Sequence, residues 1–116
     1  MDDIVKRICY LPVDFHRLQT VSAIQLLMES GYIDNSENIT TDVIEAFLRE
    51  HEELIQTWLA WSADKRVSRG WYFVFEKGEY IVGYHPEGDK RHYSDPYLSC
   101  ADFILHEVMS LASNVK

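Results

Sequence analysis

The hydrophobic pattern of the chain changes from helical spacing to strand alternation near Gly70, and this change limits the folds open to the sequence. Apolar residues recur at helical spacing over residues 44–62, whereas residues 71–76 alternate Trp, Phe and Phe with Tyr, Val and Glu. Lys77-Gly78 then predicts a tight turn, and residues 79–84 the returning strand of a hairpin. Helices followed by adjacent strands favour an α+β fold over a parallel α/β winding.

Helices are predicted on both sides of this hairpin. A long helix over residues 15–30 would be capped by Asp14 and ended by Gly31, and a preceding short helix within residues 2–11 would be ended by Pro12. After a polar loop at 34–38, a second long helix is predicted over 41–62, with Thr40 or Thr41 as its cap.

The rest of the predicted fold follows the hairpin. A third short strand is expected around residues 91–94, giving an antiparallel meander of two to three strands. Ser99 and Asp102 resemble the capping box that begins a last helix, which we expect to pack on the sheet. At 116 residues and 47% apolar content, residues 1–116 are predicted to form a single domain around one core.

The start of the chain and its cysteines indicate the cellular compartment in which the protein is found. The chain opens Met-Asp-Asp, without a basic segment followed by an apolar run, and contains no stretch of about 20 apolar residues. Cys9 and Cys100 lie far apart and form no Cys-x-x-Cys spacing, which favours reduced, buried thiols. These features predict a cytoplasmic protein.

Acidic side chains are concentrated between residues 29 and 53. Eight carboxylates and a single cation, Arg49, give this segment −7 of the net charge of −8. Such a block attracts basic partners and repels nucleic acid and anionic lipid, although it is also typical of the solvated face of a helix. With Tyr32, and Phe15 nearby, as apolar anchors, the predicted partner-binding residues are Glu29, Tyr32, Asp34, Glu37, Asp42, Glu45, Glu50, Glu52 and Glu53.

Signatures of catalysis are missing from the sequence. It contains no glycine-rich phosphate loop, no Gly-x-Ser-x-Gly elbow and no His-Glu-x-x-His, so we expect no enzyme, no catalytic residue, no metal and no cofactor. His51 lies on the apolar side of its helix and is interpreted as a core residue. The alternative is a metal-dependent enzyme in which His85 and His92 act with Asp89 or Asp95.

A second alternative is an adaptor or regulatory module. Trp58, Trp61 and Arg66 lie near the end of the second long helix and could bind a peptide or another protein there. The same aromatic and basic residues are also ingredients of a nucleic-acid platform. The net charge of −8 opposes phosphate binding, so we expect no nucleic-acid partner and no membrane partner.

The second half of the chain carries a resemblance to known proteins. The tryptophan-rich segment 58–73, the strand 79–84 and the segment 100–104 with Glu107 resemble small bacterial proteins, several of which are immunity proteins of toxin systems, including contact-dependent growth inhibition. The resemblance is one of pattern, size and charge. It implies a stoichiometric inhibitor that covers the active site of a basic toxin domain, often a nuclease, in the cytoplasm of the producing cell.

Overall fold

The computed structural model describes residues 2–65, 70–86, 88 and 90–114. In chain order the elements are α1 (Asp2–Cys9), α2 (Leu11–Leu18), α3 (Ala23–Ser30), α4 (Tyr32–Asn35), a 3-10 turn (Ser36–Asn38), α5 (Thr41–Arg49), α6 (Glu53–Lys65), β1 (Gly70–Glu76), β2 (Glu79–His85), β3 (Lys90–Tyr93) and α7 (Pro96–Ala112). Helices, an antiparallel sheet and a closing helix confirm the predicted α+β fold class.

The sheet is a meander with the strand order β1-β2-β3. Glu76 lies opposite Glu79, so Lys77 and Gly78 form a two-residue turn, and both have the positive φ that a type I′ turn requires, 53° and 80°. The hairpin is therefore confirmed. β3 begins one residue before the predicted third strand and pairs with β2 so that Tyr93 lies opposite Tyr80.

The core lies between the sheet and the helices, with α7 across one sheet face. The Phe103 ring stacks on Phe73 with 5.6 Å between centroids, and the Trp58 ring meets Phe103 edge-on at 5.9 Å. Trp58 is fully buried, and its Nε1 donates a hydrogen bond of 2.9 Å to the Cys9 carbonyl oxygen. One core thus joins α1, α6, β1 and α7, and burial of these large rings contributes to its stability.

The predicted helix over residues 15–30 is wrong, because the chain folds there into α2 and α3. Gln19 ends α2 in the left-handed region at φ 60°, and the Ser22 hydroxyl starts α3 by accepting a backbone N–H from its first turn. Asp14 lies inside α2 and caps nothing. Gly31 ends α3 at φ 90°, as predicted.

Pro12 also has a different role from the predicted one. The first helix, α1, ends at Cys9, and Pro12 lies in the first turn of α2. Proline suits this position because the first-turn N–H groups have no partner within the helix.

The predicted helix over residues 41–62 is likewise divided, into α5 and α6. Thr40 caps α5 as predicted, with its hydroxyl 3.4 Å from a first-turn backbone nitrogen. The break follows Glu50, and it places Glu53 in the first turn of α6, where the positive pole of the helix favours carboxylates. The predicted loop at 34–38 is wrong as well, since α4 and the 3-10 turn occupy it.

The predicted capping box of the last helix is wrong in position. The cap lies four residues earlier, at Asp95, whose carboxylate accepts the N–H groups of Tyr97 and Leu98 at 2.8 and 3.1 Å, and α7 begins at Pro96. Ser99 and Asp102 are buried within α7. Helix α7 nevertheless packs on the sheet, as expected.

Candidate functional site

The eight carboxylates of the acidic segment fall into two groups in the structure. The first group contacts other side chains and comprises Glu29, Glu45, Glu52 and Glu53. The second group is exposed, without a hydrogen-bonded or ion-paired side chain among the described residues, and comprises Asp34, Glu37, Asp42 and Glu50. Only the second group is fully available to a partner molecule.

Glu45 and Glu52 belong to a network that ties α5 and the start of α6 to the beginning of α7. Arg49 Nη2 lies 2.7 Å from Glu45 Oε2 and 3.1 Å from Asp95 Oδ2, and its guanidinium lies 4.6 Å from the centre of the Tyr97 ring. The Tyr97 hydroxyl donates to Glu52 Oε2 at 3.0 Å, and this hydrogen bond raises the pKa of Tyr97. Both carboxylates therefore bind side chains within the fold.

Glu29 and Glu53 are also engaged. Gln25 Nε2 donates to Glu29 Oε2 at 3.2 Å, and Arg7 Nη1 donates to the Glu29 carbonyl oxygen at 2.8 Å. Glu53 lies beside the Tyr10 hydroxyl, and burial together with the Glu53 carboxylate raises the pKa of Tyr10. Glu29 is exposed, but the Arg7 guanidinium next to it weakens the negative potential there.

Neither of the two predicted apolar anchors is open to a partner. Tyr32 has 4% of its surface exposed and belongs to the core, which removes it from the predicted binding surface. The Phe15 ring is half-buried and contacts the Trp61 ring edge-on at 5.4 Å, away from the acidic segment. Apolar contacts beside the exposed acids must therefore come from other residues.

Such residues line a groove between α1 and α5, which we call the α1–α5 groove. Its volume is about 550 Å³, and its lining comprises Val5, Asp42, Val43, Ala46, Phe47 and Glu50. Asp42, in the first turn of α5, and Glu50, the residue that caps its end, belong to the exposed group of acids and lie eight residues apart, about 12 Å along the helix axis. The groove thus combines an apolar lining with a carboxylate toward each end of α5.

Stacked rings hold one wall of this groove. The Phe47 and His51 rings stack with 4.0 Å between centroids and 8° between planes, and the Tyr10 ring meets both edge-on at 6.1 Å. His51 Nδ1 lies 3.0 Å from the Phe47 carbonyl oxygen, at the end of α5. His51 is therefore a half-buried packing residue, as predicted, but it lies in the break between α5 and α6 and not on a helix; its ring fixes Phe47 in place.

The alternative surface at Trp58, Trp61 and Arg66 is less open than the sequence suggests. Trp58 is fully buried and cannot touch a partner. Trp61 is half-buried, and its Nε1 donates to Glu107 Oε2 at 2.8 Å. A small depression of about 190 Å³ lies between Trp61 and Phe15, and Arg66 lies outside the described residues.

His85 and His92, proposed above as metal ligands, have separate neighbours. The His85 ring stacks on Tyr72 at 4.3 Å, while His92 Nδ1 lies 2.6 Å from Glu79 Oε1. Asp89 lies outside the described residues. Within residues 2–65, 70–86, 88 and 90–114, no group of three or more histidine, cysteine or acidic side chains is arranged to hold a metal ion.

The two cysteines are free, buried thiols, as predicted. Burial raises the pKa of Cys9 to about 12 and raises the pKa of Cys100 as well. Both sulfurs are therefore protonated at neutral pH and lack the thiolate that nucleophilic catalysis needs.

The groove itself is a feature that the sequence analysis missed. The available signal is Ala46, a small apolar residue that lies one helical turn from both Asp42 and Glu50 on the outer side of α5. The facing wall comes from α1, more than 35 residues away in sequence, and no local pattern indicates that contact.

None of the helices in the described part of the chain combines the length and apolar character needed to cross a bilayer. Comparison with known proteins gives no family for this chain: no family model matches it, and neither a curated protein nor a solved structure does.

Proposed function

We propose that this protein is an immunity protein that binds a cognate basic toxin domain, such as a nuclease, and neutralises it by covering its active site. The observation that supports this function is the set of exposed carboxylates without side-chain partners in the described structure, Asp34, Glu37, Asp42 and Glu50. The first three lie on successive elements, α4, the 3-10 turn and α5, and Glu50 directly follows α5.

The electrostatics of such a surface suit a basic protein partner. The charge of Glu45 is offset by Arg49, whereas carboxylates without a cationic partner attract cations over about one Debye length, ~8 Å at physiological salt. A nuclease toxin carries a cationic cleft for phosphate, and carboxylates that occupy it gain charge-assisted hydrogen bonds and speed association. The net charge of −8 adds to that attraction over longer distances.

The test begins with the genes beside this one: a large secreted protein encoded there with a basic C-terminal domain supplies the toxin domain for the binding experiment. In the variant Asp34→Asn/Glu37→Gln/Glu50→Gln, Asp42 is kept because its charge suits the first turn of α5. We expect the association rate constant at low salt to fall about tenfold, and its salt dependence to become weaker, because fewer charges steer the encounter. Stopped-flow fluorescence measures both, and rescue of growth measures neutralisation.

The matched control is Asp64→Asn/Glu76→Gln/Glu79→Gln, which changes the net charge equally through half-buried or exposed acids that lie outside the segment and outside α1 and α5. We expect it to slow association about twofold at most. Equal slowing by both variants would show that net charge alone acts and that this surface is not the docking site. Failure of the adjacent basic domain to bind the wild-type protein would refute the immunity function itself.

A further inference from the structure

We propose that the α1–α5 groove receives an amphipathic helix of the basic partner, whose apolar stripe lies on the groove lining and whose cations pair with Asp42 and Glu50. This inference rests on the proposed function, since it assigns the contact surface and the chemistry of the segment that binds there. It replaces the predicted anchor Tyr32 with Ala46, which is exposed, and with Val43 and Phe47, which are half-buried, while Val5 in the groove lining is buried.

The shape of the groove fits a helix. Val43, Ala46 and Phe47 stand at positions i, i+3 and i+4 of α5 and form a stripe along one side of the groove. Ala46 is exposed and small, which lets a partner helix approach closely, while Val5 of α1 forms the opposite wall. Recognition of an amphipathic helix commonly uses anchors at this same spacing in an apolar groove.

The charges of the groove select the sign and the spacing of the partner residues. Asp42 and the capping residue Glu50 lie four residues before and after Ala46, each about one turn away, and neither has a side-chain partner within the described structure. Two cations separated by about two helical turns, roughly 11 Å, would meet both carboxylates at once. Lysine or arginine at positions i and i+7 of the bound helix satisfies that condition.

A second copy of this chain is a poorer occupant. Two grooves brought face to face would oppose Asp42 and Glu50 of one copy with the same carboxylates of the other, and like charges at such distances repel. A basic helix instead removes both the apolar lining and the unpaired charges from water together. Charge complementarity therefore favours a basic partner.

The experiment uses a fluorescently labelled synthetic peptide of about 15 residues, long enough to form a marginal helix. It carries a leucine stripe on an alanine background and two lysines seven positions apart, and its isomer carries the same lysines three positions apart. Fluorescence anisotropy against the full-length protein gives Kd for each. We expect the isomer to bind about tenfold more weakly, because it can pair with only one of the two carboxylates at a time.

The blocking variant is Ala46→Arg. It fills the groove and places a cation one turn from both Asp42 and Glu50, an arrangement that preserves helix stability, so circular dichroism should show an unchanged fold. We expect Kd for the peptide to rise about tenfold or more. The control Asp34→Asn/Glu37→Gln removes more negative charge away from the groove, and we expect its Kd to change less than about threefold.

The outcomes separate the groove from the immunity function. Ala46→Arg binding the peptide as well as wild type, or equal binding of the two peptides, overturns the groove proposal. A dimer in sedimentation that Ala46→Arg disperses would make a second copy the occupant and also overturns it. If the peptide binds as expected while no adjacent toxin domain does, the groove stands and the immunity function fails. If the toxin domain binds and Ala46→Arg leaves its Kd unchanged, the function stands and the groove fails.

Discussion

At the scale of single residues, Asp102 shows how a buried charge can organise a small fold. Its carboxylate has 5% of its surface exposed and accepts hydrogen bonds from Arg91 Nη1 at 2.8 and 3.1 Å and from the Tyr93 hydroxyl at 2.7 Å. His106 Nδ1 lies 3.0 Å away on the same helix. Several donors offset the cost of desolvating one charge, and they fix α7 against β3.

Asp102→Asn tests whether these hydrogen bonds stabilise the fold. The amide keeps the shape of the side chain but loses the charge that binds Arg91, and it presents an NH2 group where an acceptor is needed. We expect a loss of about 1–3 kcal/mol in the free energy of unfolding, measured by urea denaturation. Asp64→Asn is the control because Asp64 is exposed, and it should change stability by less than about 0.5 kcal/mol. Equal effects would mean that the bonds of Asp102 add nothing to stability.

The residue scale also shows which local signals can be recovered from sequence. Thr40 and Gly31 act as predicted because a cap hydroxyl and a left-handed glycine depend on backbone geometry within one turn. Ser99 and Asp102 have the spacing of a capping box, but the Ser99 hydroxyl donates to the Pro96 carbonyl oxygen within α7, and Asp102 binds Arg91 of β3. The partners of Asp102 are set by tertiary contact, which a local motif does not encode.

At the scale of elements, the β1–β2 hairpin agrees best with its prediction. Alternating side chains specify which face meets the helices, and a two-residue turn then sets the register. Lys77 nevertheless adopts φ 53°, a conformation that costs a residue with a Cβ about 1 kcal/mol or more. The turn thus holds a small strain that another residue type would relieve.

Lys77→Asn should stabilise the hairpin. Asparagine tolerates the left-handed region, and Asn-Gly is the preferred pair for this turn, so we expect a gain of about 0.5–1 kcal/mol in the free energy of unfolding. Thermal denaturation followed by circular dichroism measures it. Lys77→Val removes the same charge but adds a branched Cβ, and it should destabilise. A gain with both variants would assign the effect to charge, not to backbone conformation.

The long helices are where element prediction fails. Both predicted helices are divided, at Gln19–Ser22 and at Glu50–Glu52, although neither break contains proline or glycine. The apolar spacing continues across each break, so periodicity alone cannot reveal it. A serine cap at Ser22 and acidic residues at the start of α6 are usable signals, but the breaks also depend on how the short helices wrap around α7.

At the scale of the whole molecule, the acidic segment is less uniform than its charge count indicates. The sequence predicts one surface of eight carboxylates, whereas half of them contact side chains such as Arg49, Tyr97 and Tyr10. Asp95 and Tyr97 lie about 45 residues beyond their partners, so the pairing follows from the packing of α5 on α7. The negative charge of the candidate site was predictable from the sequence. Which residues form the site was not.

The two buried thiols allow the cooperativity of unfolding to be measured. Cys9 at the end of α1 and Cys100 in α7 are both fully buried, and burial raises the pKa of Cys9 from 9.0 to about 12. The folded state holds this proton more tightly than the unfolded chain does. The resulting contribution to stability is complete below pH ~9 and is lost as the pH rises towards 12.

Thiol labelling therefore reports whether α1 remains packed against the core until the whole molecule unfolds. If the molecule opens only as a whole, iodoacetamide at pH 8 should modify Cys9 and Cys100 at equal, slow rates that increase together with urea, as mass spectrometry of the labelled protein would show. The variants Cys9→Ala and Cys100→Ala assign each site. Faster labelling of Cys9 alone would show that α1 opens locally. Because α1 forms one wall of the α1–α5 groove, that motion would also change the shape of the groove. Equal rates would mean instead that a partner meets a preformed groove, which lowers the entropic cost of binding.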